Sequence, residues 1–188
     1  MIDFGPVFRG EQRALDLVNG LSPADLRRET TELISAMLTL VAECSDADVV
    51  FVPVDPAAND AAAAHASETN IPWTLGHVVV HVTAGCEETA FLGAELARGV
   101  PFHGRSRFEV PWEQVTTIAQ VRERLEESQR MCLACLDVWP AQPNLDLTHE
   151  VWPGGPVVNA LGYHLIGTSH GFGHLPQLAE IIRQSRAA

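Results

Sequence analysis

Two pairs of histidines are spaced so that both members of a pair lie on the same side of a helix. His77 and His81 form one pair, and His170 and His174 form the other. Four residues of an α-helix rise about 6 Å and turn about 40° beyond one full turn, so the two imidazoles of a pair point the same way. Imidazoles at this spacing can chelate one divalent ion, which makes both pairs candidate metal ligands.

The residues alone leave a second explanation open, because histidines four residues apart also occur on ordinary surface helices as polar packing. Two pairs on helices that must pack together favour a shared metal site more than one pair would. Neither pair carries the Glu of the HExxH motif, since Val78 and Gly171 follow the first histidine of each pair. Peptide hydrolysis of the kind that this motif supports is therefore not indicated.

The predicted last helix carries a polar stripe on an otherwise apolar surface. Gln177 lies close to His170 around this helix, so that His170, His174 and Gln177 share one side. A polar stripe inside an apolar helix is costly unless other groups pair with it. His164 points about 120° away from His170, and we expect it to lie outside the same site.

Other reactive side chains give weaker signals. Glu88 follows His81 by seven residues and falls near the same helical side, which makes it a candidate acid beside the site. Cys132 and Cys135 have CxxC spacing, but they lie within a predicted helix and have no second cysteine pair. Buried structural cysteines are the better interpretation of that pattern.

Four long helices are predicted to position these side chains, on the basis of capping residues, helical spacing of apolar residues, and Gly or Pro stops. They run from Ser22–Pro23 to about Cys44, from Thr74 to about Arg98, from about Trp112 to Val138, and from about Val157 or Asn159 to Arg186. The sequence predicts an all-α four-helix up-down bundle with a short extra N-terminal helix over about Pro6–Val18, in one domain of residues 1–188. Val49–Val52 is interpreted as an apolar loop on the bundle, and Ala61–Ala64 as an added helical turn.

Composition and charge exclude several classes of function. The 188 residues are 46% hydrophobic and 19% charged, which is typical of a chain with a packed core. The 12 basic residues, all arginine, stand against 24 acidic ones, and a net charge of −12 disfavours binding to nucleic-acid phosphates. Without lysine, Schiff-base and lysine-base chemistry are excluded. No apolar run suggests a membrane helix and no secretory signal is apparent, so we expect a cytoplasmic protein with free thiols.

Two stretches resemble the DinB/YfiT-like family of four-helix-bundle metalloproteins. Trp73–Val82 (WTLGHVVVHV) is similar to the family's Trp-Ser/Thr opening, which is followed by a His eight residues after the Trp. His170–Gln177 (HGFGHLPQ) is similar to the HxxxHxxQ signature of the family's last helix. The resemblance in helix order and loop positions extends over about residues 22–186 and implies the same fold.

Transferred to this chain, the resemblance implies that His81, His170 and His174 bind one divalent ion. His77 lies where family members commonly have another residue, so it is left outside this ligand set. Three neutral imidazoles would accept Zn, Ni, Co or Fe(II) and would leave at least one coordination position open.

Characterised relatives in this family include thiol transferases and isomerases that use bacillithiol or mycothiol. The resemblance therefore implies that the metal activates a low-molecular-weight thiol for transfer to, or isomerisation of, a small electrophilic substrate. No residue stands out as a general base. Such a thiol would need donors at the mouth of a pocket, for which Arg105 and Arg107 are candidates. Homodimers occur among relatives, and a homodimer is compatible with the sequence.

Two alternatives remain open from the sequence. The first is a metal-dependent small-molecule hydrolase, in which Glu88 would act as acid or base on a water molecule. The second is a non-catalytic metal- or ligand-binding stress-response protein, which would have a closed coordination sphere completed by His77 and no pocket.

Overall fold

The computed structural model describes residues 1–59, 69–106 and 108–188, and these residues are mostly helical. The helices are α1 (Gly5–Phe8), α2 (Ala14–Leu17), α3 (Pro23–Leu40), α4 (Asp46–Val50), α5 (Leu75–Ala97), α6 (Ile118–Asp137) and α7 (Ala160–Ser185). A 3-10 turn covers Trp112–Gln114. Strands β1 (His149–Glu150) and β2 (Val157–Val158) pair antiparallel, with His149 opposite Val158.

The four long helices form the predicted bundle. α5 packs against α7 and α6, and α3 packs against the same two helices from the other side, so the four close into a ring around one interior. The all-α bundle is therefore confirmed, with two short helices before it rather than one. No helix within the described ranges has the length and apolar character needed to cross a membrane.

Capping residues begin three of the long helices where the sequence places them. Ser22 forms a reciprocal capping box at the start of α3. The Thr74 hydroxyl accepts the backbone N–H of His77 at 3.2 Å, and the Asn159 side-chain oxygen accepts the backbone N–H of Gly162 at 3.2 Å. Each cap satisfies an N–H group that has no partner inside its helix, which is why these helices begin there.

Three predicted helices were wrong in their extent. The first long helix, α3, ends at Leu40 rather than near Cys44. The helix expected over Pro6–Val18 is divided into α1 and α2, because Gly10 adopts a positive φ of 71° and ends the first segment. The third long helix does not begin at Trp112. Its cap is Thr117, whose side chain accepts the backbone N–H of Gln120 and starts α6 one residue later.

The segment before α5 also differs from the prediction. The interpretation of Val49–Val52 as a loop was wrong in part, because α4 extends to Val50 and buries Val49 against the bundle. The turn predicted over Ala61–Ala64 lies outside the described residues.

Glycines allow α5 and α7 to pack at very short range. A Cβ atom added at Gly167 would overlap the hydroxyl of Thr89 and lie 3.2 Å from the Cα of Cys86. A Cβ atom added at Gly93 would lie 3.1 Å from the carbonyl oxygen of Ala160. As residue numbers increase along α5, from Thr89 to Gly93, the residues that they contact on α7 decrease in number, from Gly167 to Ala160. The two helices are therefore antiparallel. The interface between them is called the α5/α7 seam below.

We expect Gly167→Ala to lower the free energy of unfolding by about 1–3 kcal/mol, because the added methyl group must displace Thr89 or push the helices apart. Gly173→Ala is the matched control on the same helix, since a Cβ there meets no atom within 4 Å. That control should be neutral or slightly stabilising, by up to about 1 kcal/mol, because alanine favours helix. Urea unfolding followed by circular dichroism compares the two, and equal stabilities would contradict the packing argument.

Candidate metal centre

The α5/α7 seam brings three of the predicted histidines together. His81 comes from α5, and His170 and His174 come from α7. The Nε2 atom of His170 lies 2.8 Å from that of His81 and 3.3 Å from that of His174. One ring nitrogen from each residue lies within 4.8 Å of the other two, which is compatible with binding a single ion. These three residues are called the three-histidine cluster below.

Two of the rings are oriented by oxygen atoms behind them. The Nδ1 atom of His81 lies 3.2 Å from a carboxylate oxygen of Glu109, and that of His174 lies 2.7 Å from the side-chain carbonyl of Gln177. Both oxygens accept hydrogen bonds, so Nδ1 donates and the Nε2 lone pair of each ring faces the cluster. The bond from His81 is also the main reason that the pKa of Glu109 is lowered.

The surroundings favour neutral imidazoles. Burial lowers the pKa of His170 to about 4, and the charges of His174, His81 and Arg105 act in the same direction. Burial also lowers the pKa of His174, although the hydrogen bond to Gln177 opposes this effect. Neutral nitrogens are the form that binds metal, so these two rings are ready to act as ligands at neutral pH.

The cluster is open on one side. As a whole residue His170 is the most exposed of the three, although its ring is desolvated among the neighbouring side chains, and His81 and His174 are half-buried. Solvent and small molecules can therefore reach the face of the cluster that His170 presents. A separate surface cleft of about 810 Å³ lies between α1–α2 and the β1–β2 hairpin, and none of the three histidines lines it.

The loop between α5 and α6 forms a wall beside the cluster. Its Arg105 donates from Nε to Glu88 at 2.5 Å, and its Glu109 accepts from His81. Glu109 was missed from the sequence, because it lies in a loop 28 residues after His81 and no helical spacing links the two. Glu88, the predicted acid, instead binds Arg105. Arg107 lies outside the described residues.

His77 lies beside the cluster in an aromatic stack. Its ring packs between Trp73 and Trp112, with centroids 4.5 Å from each and only 3° between the planes of His77 and Trp112. Trp73 also contacts the cluster, since its ring centroid lies 4.7 Å from His81 and 5.8 Å from His174. His77 is therefore part of the packing around the cluster rather than one of its three members.

The other candidates lie elsewhere. His164 is buried and lies 2.9 Å from the Thr30 hydroxyl, so its expected place outside the cluster is confirmed. Cys132 is buried and Cys135 is partly buried, and both are free thiols. Burial raises the pKa of both thiols, as expected for structural rather than reactive cysteines.

A comparison with sequence models of known protein families shows which family this chain belongs to. A sequence model of the DinB superfamily matches residues 9–178, which is most of its length. The chain belongs to the DinB superfamily. The family expected from Trp73–Val82 and His170–Gln177 is thus confirmed, and the DinB match includes all three clustered histidines. Searches of curated proteins and of solved structures gave no match.

The buried His164 generates a pH prediction. Burial lowers its pKa to about 4, against about 6.5 in an unfolded chain. Between those values the unfolded state binds more protons, so stability is complete above about pH 6.5 and falls as the pH drops toward 4. His164→Gln cannot titrate but can still bond to Thr30. It should lose about 2 kcal/mol less stability than the parent between about pH 7 and pH 5.

Urea unfolding of both proteins at the two pH values provides the measurement. The remaining titrating groups are shared, so the difference between the two losses isolates His164. Equal losses in parent and variant would show that His164 does not contribute to the acid sensitivity.

Proposed function

We propose that this chain is a metal-dependent enzyme that binds one divalent ion through His81, His170 and His174. It activates a low-molecular-weight thiol for transfer to, or isomerisation of, a small electrophile. The observation that carries the proposal is the convergence of three imidazole nitrogens from two helices on one point. Membership of the DinB superfamily supports it.

The donor set fits such an ion. Imidazole nitrogen suits Zn, Ni, Co and Fe(II), and three protein ligands are typical of catalytic sites that keep a position for substrate. The oxygens of Glu109 and Gln177 behind two of the rings match the outer contacts that orient histidine ligands. A divalent ion bound there would supply Lewis acidity, which lowers the pKa of a coordinated thiol toward neutrality.

The chain's own residues would perform the remaining tasks. Glu109 and Gln177 keep the Nδ1 protons of His81 and His174 in place, so that Nε2 stays available as a ligand. Trp73 packs against both of these rings and restricts their movement. The exposed side at His170 admits the thiol and the electrophile.

The open side of the cluster favours a catalytic role over closed metal storage, and His77 is held between two indole rings rather than in the cluster. The hydrolase alternative depended on Glu88 as acid or base. Because Glu88 accepts a hydrogen bond from Arg105 at 2.5 Å, the geometry gives that alternative less support than the thiol transferase.

Elemental analysis tests the metal site. Protein purified without a histidine tag and reconstituted with Zn, Ni or Fe(II) should contain about one equivalent of metal per chain, because one set of three imidazoles is present. His81→Ala and His170→Ala should each lose most of it. His103→Ala is the matched control, because His103 pairs with Glu95 outside the cluster and should leave metal content unchanged. Metal-free parent protein, or metal retained in both cluster variants, would contradict the site.

A conjugation assay tests the reaction. Metal-loaded protein should accelerate the coupling of a small thiol to a chromogenic electrophile by about tenfold or more near neutral pH, since a free thiol with a pKa near 8.5 is only a few per cent thiolate there. Removal of the metal by a chelator, or His170→Ala, should return the rate to that of the solution reaction. If the metal-loaded protein does not accelerate the coupling of any thiol in a chemically varied panel, the transferase proposal is contradicted.

A further inference from the structure

We infer that Arg105 recognises a carboxylate on one of the two small molecules that meet at the three-histidine cluster. The inference rests on the proposed function and adds the chemical class of its substrate, a small thiol or electrophile that carries a negative charge beside its reactive atom.

The first step is where Arg105 lies along the α5/α7 seam. A Cβ atom added at Gly85 would lie 3.8 Å from the Cδ2 atom of His170, so the His170 ring packs over Gly85. Glu88 lies about one helical turn farther along α5, on nearly the same side as His81. Because Arg105 donates to Glu88 at 2.5 Å, its guanidinium lies about one helical turn along α5 from the contact with the His170 ring and about two turns from His81.

The second step is the direction in which the guanidinium faces. Glu88 lies on nearly the same side of α5 as His81, and its side chain is only 13% exposed. The guanidinium that it holds therefore lies on the side of α5 that carries the cluster, while the Arg105 side chain remains 37% exposed and within reach of a ligand.

Arg105 keeps hydrogen-bond donors that a ligand can use. Glu88 accepts from Nε, and within the described part of the chain neither Nη atom of Arg105 makes a hydrogen bond. A guanidinium carries five N–H donors in a planar fork that matches a carboxylate. Glu88 thus acts as a positioning residue that orients the fork.

The net negative charge of the chain gives significance to a positive side chain near the three-histidine cluster. A chain with a net charge of −12 repels anions from most of its surface. A small anionic substrate would therefore need a local positive group near the cluster, and Arg105 supplies one. Without Arg105, the acidic surface should favour a neutral ligand over an anionic one.

Thiol binding to the cobalt-loaded protein tests the inference without relying on turnover. The change in the cobalt absorption spectrum gives the Kd of 3-mercaptopropionate, an acid, and of 2-mercaptoethanol, a neutral thiol. In the parent, the acid should bind about tenfold or more tightly than the neutral thiol. Arg105→Gln should lose that preference without losing cobalt or affinity for 2-mercaptoethanol, and Arg105→Lys should keep part of it.

Arg183→Gln is the matched control, because Arg183 pairs with Glu180 on α7 and belongs to neither site. It should leave both Kd values unchanged. A merely structural role for Arg105 would weaken cobalt binding or both thiols together, and that result would overturn the inference.

A second arm distinguishes the molecule that carries the carboxylate. With 2-mercaptoethanol as the thiol, the rate of alkylation is compared for iodoacetate and iodoacetamide. In each reaction the sulfur–carbon bond forms, iodide leaves, and the thiol proton passes to solvent. If the carboxylate belongs to the electrophile, Arg105→Gln should slow the iodoacetate reaction about tenfold or more and leave iodoacetamide unchanged.

The metal site and the recognition of a carboxylate by Arg105 predict different results when either is wrong. If cobalt and thiols bind to the parent but Arg105→Gln alters neither the acid thiol nor iodoacetate, the recognition of a carboxylate is wrong and the metal site stands. If the parent binds no cobalt at all, the proposed function is overturned, and the inference that rests on it falls with it.

Discussion

The close antiparallel contact between α5 and α7 is the constraint on which the rest of the structure depends. Gly167 and Gly93 remove the side chains that would otherwise separate the two backbones, so Thr89 and the carbonyl of Ala160 fill the space instead. Packed cores tolerate little change in volume, and this contact therefore fixes the register of the two helices. That register places His81 opposite the second histidine pair, about two turns from the tightest contact.

The loop between α5 and α6 adds a wall that the bundle alone would lack. It lies along α5 in the opposite direction, with Arg105 on Glu88 and then Glu109 on His81. Each contact joins a charged group to a partner that would otherwise be costly to bury or poorly oriented. The loop thereby brings one acidic and one basic group to the side of the cluster, so that a site on a strongly acidic protein carries both signs of charge.

Much of the fold could be predicted from the sequence, because it depends on interactions within about one helical turn. Ser22, Thr74 and Asn159 cap helices at the predicted places, since a cap needs only a side-chain oxygen and the N–H two or three residues later. The predictions that failed lay where local signals compete. Gly10 divides the N-terminal helix, and Thr117 caps α6 five residues after Trp112.

The sequence by itself indicated the members of the cluster, because the i,i+4 spacing made four histidines candidates and the family resemblance implied His81, His170 and His174 among them. Only the tertiary structure decided what surrounds them. Glu109 meets His81 across a loop, and Arg105 lies on Glu88, although no periodicity links either pair in the sequence. A helix imposes its spacing on its own residues, whereas contacts across a loop follow from how the whole chain packs.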